Sequence, residues 1–132
     1  MKTKIFTLCD FAKDYNGQLS INGTFNVIKS NVFPTVPRSI FLACQFELCE
    51  NIVGSHNVNI ILTDLQTNKI IIDEKLRLEI GQKNESTIDK KRFYTNLVLN
   101  LENISFDAPG TFEFKVSSDE VTETLELYIT QD

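Results

Sequence analysis

The sequence predicts an all-β fold: an antiparallel β-sandwich of about eight short strands, Ig-like or jelly-roll-like in arrangement. Three observations predict it. Apolar and polar residues alternate with a period of two, clearest where Phe112, Phe114 and Val116 face one way and Thr111, Glu113 and Lys115 the other. Turn-forming Gly, Pro, Asn and Asp recur between these runs, at the spacing of short strands. No segment sustains the 3.6-residue period of an amphipathic helix. One-faced alternation means two sheets packed face to face, each with a solvated outer surface. At 132 residues the chain reads as a single domain, 1–132, large enough to bury a core without disulfides or a structural metal.

In chain order, 5–11 is the first strand, and Asn16-Gly17 closes a hairpin because both residues tolerate positive φ. Leu19, Ile21, Phe25 and Val27 alternate in the return strand, with Gly23 on the apolar phase as the mark of a bulge or a close backbone approach. The segment 31–39, holding Pro34 and Pro37, lacks the donors for a full ladder and reads as loop. Ile40, Leu42, Cys44, Phe46 and Leu48 form the cleanest alternation in the chain. Gly54 precedes a strand carrying Val58, Ile60 and Leu62, and 64–68 turns into Ile70, Ile72, Leu76, Leu78 and Ile80. Glu74 falls on that apolar phase. A bulge is the preferred explanation and a sheet edge the other, because an unpaired buried carboxylate is costly. After the polar segment 81–92, strands follow at 93–101, 112–116 and 125–129, with Pro109-Gly110 as a corner.

Composition narrows the function classes. A net charge of −5 opposes general binding to nucleic acid or anionic membrane, which needs an excess of Lys and Arg. The opening residues offer only a four-residue stretch, 5–8, interrupted by Thr7, where a secretory signal needs a longer apolar run. No run reaches membrane-spanning length. Three cysteines without a signal fit reduced thiols, and the expectation is a cytoplasmic protein. Phosphate-cradling Gly-rich loops, dinucleotide fingerprints and HExxH are missing, so no cofactor is expected.

His56 is the sole histidine, so any Ser-His-Asp or Cys-His arrangement must use it. In a Gly-Ser-His run at a strand start, an exposed polar residue is the commoner outcome. Cys44, Cys49 and His56 fit no zinc spacing, since Cys44 and Cys49 differ in strand parity and leave opposite faces. Cys44 reads as a small core residue, Cys9 and Cys49 as ordinary thiols. Asp10, Asp14, Asp64, Asp73, Asp107 and Asp119 supply carboxylates, but no spacing isolates a catalytic pair or a calcium cage. Lys83, Lys90, Lys91 and Arg92 make one segment basic, suited to a phosphate or an acidic partner, or to guarding a strand edge.

If successive strands alternate in direction, alternate loops share an end. Loops 13–17, 50–56, 81–91 and 117–120 would then gather at one end, and loops 29–38, 64–68 and 102–109 at the other.

The run Phe6-Thr-Leu-Cys-Asp-Phe-Ala12, with Asn16-Gly17, Gly23-Thr-Phe25, Phe33-Pro34, Asn96-Leu-Val-Leu-Asn-Leu101, Phe106 and Pro109-Gly-Thr-Phe112, resembles a family of short bacterial proteins of uncharacterised function. The resemblance is near full length. It implies a single-domain β protein in a bacterial cytoplasm and brings no catalytic residue or ligand.

The expected function is a non-enzymatic binding or accessory module. It would contact another protein or a ligand through the end bearing Asn16, His56, Lys83, Lys90, Lys91 and Arg92, because loops on a rigid scaffold usually carry contacts. The alternatives are a small hydrolase or carbohydrate-acting enzyme using loop carboxylates or His56, and a structural or phage-derived assembly protein joining sheets edge to edge.

Overall fold

Among the described residues the period-two runs form nine strands: β1 (Lys2–Tyr15), β2 (Gln18–Phe25), β3 (Val27–Ser30), β4 (Phe41–Cys49), β5 (Gly54–Asp64), β6 (Ile70–Ile80), β7 (Arg92–Asn100), β8 (Gly110–Ser117) and β9 (Thr122–Gln131). They come from a computed structural model that describes residues 1–37, 39–49, 53–81 and 92–132; the side chains of Cys49, Arg92 and Phe93 lie outside that description. The strands make two sheets, a four-stranded sheet in the order β2-β1-β4-β7 and a five-stranded sheet in the order β3-β9-β8-β5-β6.

One core lies between the sheets. Leu8, Leu42, Cys44, Phe46 and Leu48 from the first sheet meet Val58, Ile60, Leu62, Phe112, Phe114, Val116, Leu127 and Ile129 from the second. These are the residues whose alternation marked the strands, because successive side chains leave opposite faces and only one face is buried. Two apolar residues outside the strands, Ile104 and Phe106, complete the core from the connection between β7 and β8. Phe106 is fully buried and stacks edge-on against Phe112, with ring centroids 4.8 Å apart.

Three details depart from the sequence reading. The predicted second strand is two, because the chain bends at Asn26 and β3 crosses to the other sheet, where it runs parallel to β9. The expected alternation of direction fails at the next connection: β2 and β4 both pair antiparallel with β1 and therefore run the same way. Glu74 involves no bulge. It sits opposite Ile60 in continuous register on β6, an edge strand, and the register shift lies instead beside Ile71, between the Leu62–Ile72 and Thr63–Ile70 pairs. An edge strand leaves the carboxylate exposed to water, which removes the cost that favoured a bulge.

The first hairpin also covers the outer face of its own sheet. Cys9, Ala12 and Ala43 are buried in a second cluster with Leu19, Ile21, Phe41 and Val98. Ala43 and Val98 pair with each other and are one residue out of phase with Leu42 and Leu99, so they belong to the face away from the main core. Gln45 donates to Asn96 (3.1 Å), which donates in turn to the Gly17 carbonyl (3.2 Å), holding the hairpin tip against β7. Gly23, level with Asp10 in the hairpin register, has φ +69°, and a Cβ there would run into the Asp10 carboxylate. The close approach at this glycine comes from a side chain and not from the backbone or a bulge that its apolar phase suggested.

Candidate functional site

Three loops converge at one end of the fold, as the expected grouping of 29–38, 64–68 and 102–109 has it. Thr35 and Phe106 exchange backbone hydrogen bonds of 2.9 and 2.8 Å. The Leu65 amide donates to the Thr111 carbonyl (3.0 Å). The 64–69 turn is set by its own sequence: the Asp64 carboxylate accepts from the Gln66 amide (2.9 Å), and Asn68 takes φ +59°, a conformation Asn tolerates. In the 101–109 connection the Leu101 amide donates to the Ile40 carbonyl (2.8 Å), and Asn103 turns at φ +60° so that Ile104 enters the core.

Between this connection and the start of β6 lies a cleft of about 530 Å³. Its walls are apolar where Ile70, Ile72, Leu101, Ile104 and Phe112 line it. Its polar lining bears the carboxylates of Asp64, Glu74, Glu102 and Asp107, with Lys69 as the one cation among the described residues. Lys69 stands 4.0 Å from Asp107, both side chains largely exposed, so that pair adds little stability. Asn100 donates to Glu102 at 2.9 Å. An apolar recess lined with carboxylates can hold a ligand that has an apolar body and a positive group.

With this architecture in place, residues 4–130 match a family of unknown function, DUF6941. The chain belongs to it. No curated protein matches the chain.

Of the sequence-predicted site residues that the structure describes in this DUF6941 chain, Asn16 stands apart from His56 and the Arg92 backbone. Lys83, Lys90 and Lys91 lie outside the described residues, and of Arg92 only the backbone is described, paired with Cys49. Because β4 runs against β1, that pair belongs beside the start of β1, where Lys2 faces Glu47, whereas Asn16 closes the hairpin at the far end of β1. His56 is on the other sheet, opposite Leu78 on the core-facing side, with Nδ1 3.6 Å from the Asp119 carboxylate. The sequence grouping of 50–56 with 117–120 therefore holds, while 13–17 belongs elsewhere. The His56–Asp119 spacing is that of an ion pair when the imidazole is protonated, longer than a hydrogen bond.

The thiols are placed by burial. Cys44 is enclosed in the main core, and burial pushes its pKa from 9.0 up to about 12, far from a reactive thiolate. Cys9 is buried beneath the folded-over hairpin rather than lying on the surface, and desolvation raises its pKa too. Among the described residues no group of His, Cys, Asp and Glu is arranged to hold a metal ion, and no helix is long and apolar enough to cross a membrane. The cleft itself escaped the sequence reading, and its signal was Ile104 and Phe106, apolar residues in the connection between β7 and β8.

Proposed function

We propose that this DUF6941 protein is a non-enzymatic binding module of a bacterial cytoplasm, an Ig-like β-sandwich that takes a ligand or protein partner at the cleft between β6 and the 101–109 connection. The observation that carries the reading is the cleft: the 64–69 turn and the 101–109 connection line it on a packed core, and three of its carboxylates already have partners. Asp64 caps the 64–69 turn, Glu102 accepts from Asn100 and Asp107 faces Lys69. Such a lining positions a ligand by charge and shape rather than by proton transfer. The Ig-like assignment draws on the order β9-β8-β5-β6, which corresponds to the G-F-C-C′ order of a variable-type sheet, and on the β4–β7 pair, which corresponds to B–E.

Affinity capture from bacterial lysate tests this reading. It compares the tagged protein, a Glu102→Lys/Asp107→Lys variant, and a variant with Lys83, Lys90, Lys91 and Arg92 changed to alanine. A specific partner lost only with the cleft variant is the expected result. Loss only with the basic-segment variant would move the contact surface there. Turnover of a substrate that stops on Glu102→Lys/Asp107→Lys substitution would overturn the non-enzymatic reading.

A further inference from the structure

Building on that binding reading, we infer that the edge of β6 away from β5 accepts an extended segment of a partner protein carrying Lys or Arg between two apolar residues, in the pattern apolar–x–basic–x–apolar. β6 is an eleven-residue strand at the end of its sheet, and among the described residues its neighbour is β5. Its other edge offers backbone donors and acceptors to an added strand.

The core-facing row of β6 runs Ile72, Glu74, Leu76, each opposite a buried residue of β5: Leu62, Ile60 and Val58. Side chains two apart in a strand share a face and stand about 6.6–6.8 Å apart. An incoming strand in register sets one side chain beside Glu74 and the two flanking ones beside Ile72 and Leu76.

Glu74 decides which strand fits. A carboxylate on the core-facing phase of an edge strand opposes pairing with an apolar or acidic strand, because either leaves it desolvated without a counter-charge. A basic residue across from it turns that penalty into an opposite-charge pair. Among the described residues the cleft beside this stretch has the same sign, with Asp64, Glu102 and Asp107 near Lys69, which already faces Asp107. Ile70, more than half exposed where the cleft opens, gives a further apolar anchor. On the outer face of β6, Asp73, Lys75, Arg77 and Glu79 mix both signs, so selection falls to the inner row.

The test titrates isotope-labelled full-length protein with a capped valine–threonine–lysine–threonine–valine peptide and with its glutamate counterpart, following backbone amide shifts. The lysine peptide is expected to shift Ile70, Ile72, Glu74 and Leu76 and to bind more weakly as salt rises. Glu74→Gln should weaken it by about tenfold, the scale of one charge-assisted hydrogen bond, and Glu74→Lys should reverse the preference toward the glutamate peptide. Unchanged affinity in both variants overturns the inference. Failure of the lysine peptide to bind while neutral fragments shift Glu102 and Ile104 overturns it too, but leaves the binding-cleft reading standing. Shifts confined to other surfaces overturn both.

Discussion

Phe106→Ala is the most informative single perturbation of the framework behind the cleft. Phe106 is fully buried although it lies outside the named strands, and its ring meets Phe112, which itself lines the cleft. The substitution keeps both backbone hydrogen bonds to Thr35, since any residue but proline supplies that N–H and C=O. The loss is therefore one of side-chain packing. Deleting a buried phenyl costs about 3–5 kcal/mol, of which the edge-on contact with Phe112 accounts for about 0.5–1.5 kcal/mol. Against a total stability of about 5–15 kcal/mol the variant should still fold. Its Tm should fall by roughly 12–20 °C at a sensitivity of about 4 °C per kcal/mol for a chain of this size. Urea denaturation followed by far-UV circular dichroism measures the change directly, with an unchanged m-value showing that only stability has moved. A cycle with Phe112→Ala should return a coupling near the aromatic-pair figure. A loss below about 1 kcal/mol for Phe106→Ala would refute the claim that the 101–109 connection is part of the core, because a surface truncation costs no more than that.

Three further outcomes are expected. Gly23→Ala should cost about 1–2 kcal/mol for forcing a Cβ into positive φ; adding Asp10→Ala should recover little, because the exposed carboxylate can swing aside, and equal urea midpoints for wild type and Gly23→Ala would contradict the geometry. The stability that neutral Cys44 confers is fully present below the ordinary thiol pKa of 9.0 and lost as pH rises toward about 12. Urea midpoints measured from pH 8 to pH 11 should therefore fall more steeply for wild type than for Cys44→Ala, and parallel curves would show that the thiol titrates normally. Glu74→Val should create a continuous apolar row along β6 and cause self-association that grows with concentration in light scattering, whereas a variant that stays monomeric would deny that Glu74 guards the edge.

Much of the fold was legible because burial on one face writes itself into the sequence at period two. Leu42, Cys44, Phe46 and Leu48 alternate with polar or small residues, and the structure buries all of them. Asn16-Gly17 specified its hairpin locally, with Asn16 at φ +53° and Gly17 at φ +92°. Gly23 announced a close approach without saying what approaches. The candidate site was less legible, because its residues are distant in sequence: Asp64 and Glu74 border one hairpin, while Glu102 and Asp107 belong to the connection between β7 and β8. Glu74 was conspicuous as a carboxylate on an apolar phase. Whether that meant a bulge or an edge depended on which strand lay beside it.

Local chemistry by itself thus determined the all-β class, most strand positions, the first turn and most of the core, because backbone geometry and one-sided burial act over a few neighbouring residues. Strand order required the tertiary structure. It set β4 beside β1 so that β2 and β4 run the same way, sent β3 across to lie along β9, and folded the first hairpin over Ala43 and Val98. Those choices turn on contacts between residues far apart in sequence, whose energies no short window contains. They are also what leave β6 at an edge, bring 64–69 against 101–109, and open the cleft between them.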